Sequence, residues 1–123
     1  MAVDGDEDCL MHLRRKVKDF LEAEGEGFCG LPVLMDEWSN NIWQRDLCND
    51  TCYKSAYLFK SIMENHDSYY GLGYFSISDQ LDEIAPAAEA FHGGFGLFTQ
   101  NGIAKSAYRA MQLLSRAGDK LIA

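Results

Sequence analysis

Two short strand-like runs, separated by a helical stretch, restrict the fold of this chain more than any other feature. The run from Leu31 to Trp38 is apolar and ends in two acids, Asp36 and Glu37. It reads as a buried strand that emerges into a polar loop. The second run, about Tyr70 to Ser78, is rich in aromatic and small residues. Between them, after a loop from Ser39 to Asn49, Tyr53, Ala56, Tyr57, Ile62 and Met63 mark a helix that Asp50 or Thr51 can cap. Tyr53, Tyr57 and Phe59 on that helix read as core side chains.

Helical periodicity also brackets the strands. Leu10, Leu13, Val17, Phe20 and Leu21 recur at helical spacing from about Leu10 to Glu24, with Gly25 as a stop and acids ahead of the first turn. A last helix is expected from about Ala104 to Ala117, with Ala107, Tyr108, Met111 and Leu114 on one face and Gly118 after it. The sum is α-β-α-β-α, an α/β pattern of parallel strands with helical crossovers. Two parallel strands alone leave long open edges, because such strands are normally flanked and covered on both faces. The pattern therefore reads as part of a larger fold, or as a chain that completes itself by self-association.

Length and composition narrow the remaining classes. At 123 residues the chain is expected to be a single segment (1–123), and a hydrophobic fraction of 47% with 24% charged residues is ordinary for a globular protein. The net charge of −8 argues against nucleic-acid or anionic-membrane partners, which select clustered Lys and Arg. No run approaches the roughly 20 apolar residues that span a bilayer. Residues Met1 to Asp8 carry four acids and no base, the opposite of a signal-peptide n-region, so a cytoplasmic location is expected. Residues 1–9 are expected to be a frayed, solvated end. Cys9, Cys29, Cys48 and Cys52 fit a reducing compartment.

The metal and phosphate patterns are weak. Cys9 with His12 and Cys48 with Cys52 lack the tight knuckle of a zinc ribbon, so no metal and no cofactor are expected. Gly93, Gly94 and Gly96 match neither the dinucleotide nor the P-loop fingerprint. His66 and His92 have no nearby nucleophile pattern that would suggest a triad. The strand-end acids remain. At the C-terminal end of a parallel strand, a carboxylate can project into a barrel mouth and attack an anomeric carbon. Alternation puts Asp36 and Glu37 on opposite sides, so only one can do so. Trp38 and Trp43 offer flat apolar surface of the kind on which sugar rings stack.

Four segments then carry a resemblance: PVLMDEWSN (32–40), DTCYKSAYLFKSIMEN (50–65), YFSISDQLDE (74–83) and FHGGFGLFTQNGIAKSAYRAMQLLSRAGD (91–119). In this order and spacing the chain resembles glycoside hydrolase family 39, the β-xylosidase-like enzymes, over residues from about 31 to 119. The resemblance implies a partial (β/α)₈ barrel comprising strands seven and eight with their helices, a carbohydrate substrate, and retaining hydrolysis of a β-xyloside or related glycoside. It implies that Glu37 is the nucleophile and that Asp36 merely precedes it. Trp38, Asn40, Phe75 (where the family usually has Trp), Asp82, Glu83 and His92 are implied substrate-binding residues, His92 belonging to the loop that closes the mouth. Ser106 stands where a Pro is common.

The family's acid/base lies in an Asn-Glu-Pro-like motif that these 123 residues lack. Asp79, Asp82 and Glu83 follow the strand next to Glu37, on the wrong side to replace it. The chain is therefore expected to need the N-terminal barrel portion as partner. The alternative expectation is a non-catalytic barrel fragment acting as a binding or assembly module.

Overall fold

The structure, a computed structural model, describes residues 8–81, 83–85, 87–118 and 120. The observed elements are α1 (Cys9–Glu24), β1 (Leu34–Trp38), α2 (Cys52–Asn65), β2 (Gly71–Tyr74) and α3 (Ser106–Leu114), with single 3-10 turns at Glu26–Phe28, Leu47–Asp50 and Asp79–Leu81. The fold is α/β, and β1 and β2 form a parallel two-stranded sheet. The expected order of helices and strands is thus present. The second strand is shorter than expected: residues 75–78 leave the ladder, and Ser78 makes an isolated bridge to Phe98.

The chain divides into two compact units. One comprises residues 1–42 and 61–75, the other residues 43–60 and 76–123. The first unit is organised where α1 meets the segment leading into β2. The Tyr69 hydroxyl donates to the Leu10 carbonyl at 2.6 Å, and Arg14 Nε donates to the Ser68 carbonyl at 2.5 Å. Leu10 and Tyr69 are buried, and burial raises the Tyr69 pKa above its ordinary value. Cys9 opens the helix and is itself buried, so the N-terminal run expected to fray includes one ordered core residue; residues 1–7 lie outside the described residues. Further along α1 the apolar face is less enclosed, and Phe20 is exposed.

β1 departs from the expected buried strand. Leu34 is 62% exposed, and only Trp38 at its end is buried. A parallel strand is enclosed when neighbours lie on both edges and helices on both faces. Among the described residues, β1 has β2 as its single partner.

The second unit packs α3 and the start of α2 around a glycine-rich loop. Ala107 and Ala110 are buried on α3, and the Tyr108 ring lies 4.6 Å from that of Phe98. On α2, Tyr57 is buried, whereas Tyr53, expected in the core, is exposed and stacks on Tyr57 at 6.4 Å. Thr51 donates its hydroxyl to the Cys48 carbonyl at 2.8 Å, closing the 3-10 turn before α2. Among the described residues, no helix is long and apolar enough to cross a membrane.

Candidate active site

In the first unit, the strand-end acids sit on an irregular ladder. Leu34 pairs with Gly71 and Met35 with Leu72, but Trp38 pairs with Tyr74. Asp36 and Glu37 together therefore span the one β2 residue Gly73, which is a bulge in β1. A bulge breaks the two-residue alternation, so the inference that the two acids must face opposite sides does not hold here; both are exposed. Gly73 permits this geometry, because a Cβ there would lie 2.4 Å from the Asp36 carbonyl oxygen. Beyond the bulge the chains rejoin through the Phe75 amide, which donates to the Trp38 carbonyl at 3.1 Å.

The residues around Glu37 are held by packing. Trp38 is 6% exposed and meets Tyr74 edge to face, with ring centroids 6.0 Å apart and planes at 82°. Asn40 is buried and accepts from the Ser39 hydroxyl at 3.3 Å. Phe75 is half-buried. The more exposed indole belongs to Trp43, in the second unit.

The other candidates lie in the second unit, where the loop Phe91–Leu97 carries His92. The ring is buried and its Nδ1 is 3.0 Å from the Glu89 carbonyl. A carbonyl only accepts, so Nδ1–H is the donor in this contact. Glu83 is exposed on a bend beside Ile84, whose amide donates to Gln44 Oε1 at 2.7 Å. Asp82 lies outside the described residues.

The polar groups that shape this loop were missed by sequence reasoning. The Gly93 amide donates to Asp50 Oδ2 at 2.6 Å, and the Gly93 carbonyl accepts from Asn49 Nδ2 and from the Arg45 amide, each at 2.9 Å. The Gly94 carbonyl accepts from Lys105 Nζ at 2.8 Å, and the Gly96 amide donates to Asp79 Oδ1 at 2.7 Å. Lys105 is ion-paired with Asp50 at 2.6 Å and with Asp79 at 3.1 Å. Asp50, expected as a helix cap, is committed to Lys105 and Gly93. Asp79, set aside as a catalytic acid on sequence grounds, is fully buried.

Two of the glycines are sterically required. Gly93 has φ of 80°, and a Cβ there would fall 2.6 Å from Asp46; at Gly96 a Cβ would fall 2.3 Å from the Asp79 amide nitrogen. Lys54, also fully buried, donates to Asn49 Oδ1 at 3.2 Å and lies 5.9 Å from the centroid of the Phe95 ring. Burial lowers its pKa to about 7; the Lys105 charge adds to that effect, while Cys48 and Asp46 oppose it. One sequence signal pointed this way: Lys105 precedes α3, where the helix dipole disfavours a cation, so a local anionic partner was to be sought.

Comparison with known proteins follows the same segments. The family model for glycosyl hydrolases family 39 matches residues 6–123. The chain belongs to that family. Among curated relatives, a β-xylosidase of Caldicellulosiruptor saccharolyticus is 37% identical over 93 residues, which is 75% of this chain and 19% of the relative. A β-xylosidase of Geobacillus stearothermophilus is 28% identical over 95 residues, 77% of this chain and again 19% of the relative. The chain thus spans about a fifth of the length of the curated relatives it matches. Among solved structures, a monomeric β-xylosidase from Caulobacter crescentus CB15 is similar at a TM-score of 0.83 and 28% identity, covering 96% of this chain and 24% of that one. A family 39 enzyme from Xanthomonas axonopodis pv. citri is similar at 0.83 and 27% identity, covering 97% and 23%.

Proposed function

We propose that this chain supplies the nucleophile-bearing part of a retaining β-glycosidase built as a (β/α)₈ barrel, acting on β-xylosides or related glycosides. The observation that carries this reading is Glu37, exposed at the C-terminal end of a parallel strand in a family 39 chain. Strand C-termini build the active mouth of such barrels. In the reaction, one Glu37 carboxylate oxygen attacks the anomeric carbon as the bond to the leaving oxygen breaks. The leaving oxygen takes a proton from a second carboxyl group, and water then hydrolyses the ester while returning a proton to that group. No cofactor enters this sequence. Trp38, Asn40, Phe75, Asp82, Glu83 and His92 are the residues proposed to contact the sugar.

The second carboxyl must lie about 5–5.5 Å from the nucleophile. The motif that houses it in the family is absent from these 123 residues, so it is proposed to come from a further barrel portion that this chain requires as partner. The test is trapping with an activated fluoro-glycoside, performed with that portion present. Label on the peptide containing Glu37 is expected; label on any other peptide removes the assignment.

A second reading is favoured by the exposed apolar side chains at and before β1, Leu31 and Leu34: a non-catalytic module that associates through its sheet. Size-exclusion chromatography with hydrogen exchange separates the two. A monomer with well-protected β1 and β2 amides contradicts association.

A further inference from the structure

The loop Phe91–Leu97 has its backbone polar groups occupied by side chains from three other places in the second unit. Asp50 takes the Gly93 amide, Asn49 the Gly93 carbonyl, Lys105 the Gly94 carbonyl and Asp79 the Gly96 amide. The loop end is fixed as well: the Leu97 amide donates to the Ser76 carbonyl at 3.0 Å, and its carbonyl accepts from the Lys105 amide at 2.9 Å. Lys105 is the hub. Its ammonium touches Asp50, both carboxylate oxygens of Asp79 and the Gly94 carbonyl, and its side chain is fully buried. A buried ammonium with one fully buried carboxylate, Asp79, and one nearly buried, Asp50, makes a costly arrangement unless each group is paired with good geometry. An apolar core would enclose an ordinary loop more cheaply.

We infer that the Asp50–Lys105–Asp79 ion cluster is the positioning device for His92. It sets the backbone on either side of Gly94 and so fixes the direction of the imidazole. Three features support this. The cluster grips Gly93, the residue immediately after His92, through Asp50. Gly93 is held in a left-handed conformation that the chain leaves readily without such contacts. The His92 ring is anchored on its other side by Nδ1–H donating to the Glu89 carbonyl, so ring and backbone are both determined. Asp79 and Lys105 act through the loop rather than on a substrate. The inference rests on the glycosidase reading only in giving His92 a sugar to contact.

The test has a structural and a kinetic arm. By nuclear magnetic resonance of the 123-residue chain, the Gly93 and Gly96 amide protons are expected to exchange far more slowly than those of the exposed Gly30 and Gly118. Exchange as fast as at those exposed glycines overturns the inference without any variant being made. In Asp79→Asn, exchange at Gly93 and Gly96 is expected to accelerate at least about tenfold, while the Tyr70 amide in the first unit is unchanged. Unchanged exchange at both glycines also overturns it.

For the kinetic arm the chain is combined with the barrel portion that carries the acid/base. Asp79→Asn is expected to raise KM by about tenfold with kcat per titrated active site nearly constant, matching His92→Ala, and the double variant to be no worse than His92→Ala alone. A purely structural role lowers the number of active sites and leaves KM unmoved, and that result overturns the inference. If His92→Ala shifts KM and Asp79→Asn does not, positioning fails while the glycosidase reading stands. If His92→Ala leaves KM unmoved, the substrate role of His92 fails, and with it the object of the positioning.

Discussion

Lys105 Nζ lies 3.1 and 3.2 Å from the two carboxylate oxygens of Asp79, and neither side chain is reached by solvent. The pair lies with Asp50 against the glycine-rich loop of the second unit. It converts a flexible composition, Phe-His-Gly-Gly-Phe-Gly, into a determined conformation.

Removing the ammonium leaves the buried Asp79 carboxylate and the nearly buried Asp50 carboxylate without their counter-ion. Lys105→Met is therefore expected to lower the unfolding free energy by about 3–5 kcal/mol. Urea denaturation of the two chains checks this; a loss below about 1 kcal/mol would show that the cluster contributes little.

Gly96 and Gly102 separate crowding from conformational strain. Gly102 has φ of 78° with open space around its Cβ direction, whereas Gly96 is closely surrounded by the backbone of Ser78 and Asp79. Gly102→Ala is expected to cost about 1 kcal/mol from backbone strain alone. Gly96→Ala should cost clearly more, about 2–4 kcal/mol, because the loop must move off its anchors. Equal losses in thermal denaturation would count against the close approach.

Lys54 gives stability a pH dependence. Its pKa is about 7 in the folded chain and near 10.5 when unfolded, so between these values the unfolded chain binds a proton that the folded chain lacks. Unfolding free energy should then rise with pH across this window, by up to about 1.4 kcal/mol per pH unit from this group. Below about pH 7 the cost of the buried charge is fully present. The contrast between the wild-type chain and Lys54→Met, measured at about pH 6.5, 8 and 9.5, from below the window into its upper part, isolates the effect from other groups. Parallel pH profiles would refute it.

Tyr69→Phe removes one buried hydrogen bond and leaves the Leu10 carbonyl without that donor. A loss of about 1–2 kcal/mol is expected, with faster amide exchange in the first turns of α1. Exchange unchanged along α1 would show that the helix is held by other contacts.

At the strand end, Gly73→Ala forces a Cβ toward the Asp36 carbonyl. It is expected to shift the β1–β2 register around Glu37, read as altered amide chemical shifts at residues 36–38 and 73–75. A spectrum unchanged there would mean that the bulge tolerates a side chain.

The order of elements, the position of Glu37 at a strand end and the family itself were legible because each rests on local signals. Periodicity, a polar break after an apolar run and an ordered set of short motifs are written within a few residues of one another. The failures are equally local in origin. Alternation was a sound rule for Asp36 and Glu37 until a bulge set two residues of β1 against Gly73, and a bulge in one strand is a property of the pair. Leu34 looked like a core residue, but burial depends on which neighbours are present.

What the sequence by itself determined is the α-β-α-β-α order, the family and the candidate nucleophile. What only the tertiary structure decided is the use of Asp50, Asp79 and Lys105. Asp79 and Lys105 are 26 residues apart, lie on different elements and share no periodic pattern. Charged residues are ordinarily solvated. Only the fold, by excluding water from both ends of the pair, turns a surface-like lysine and two aspartates into the groups that hold the His92 loop.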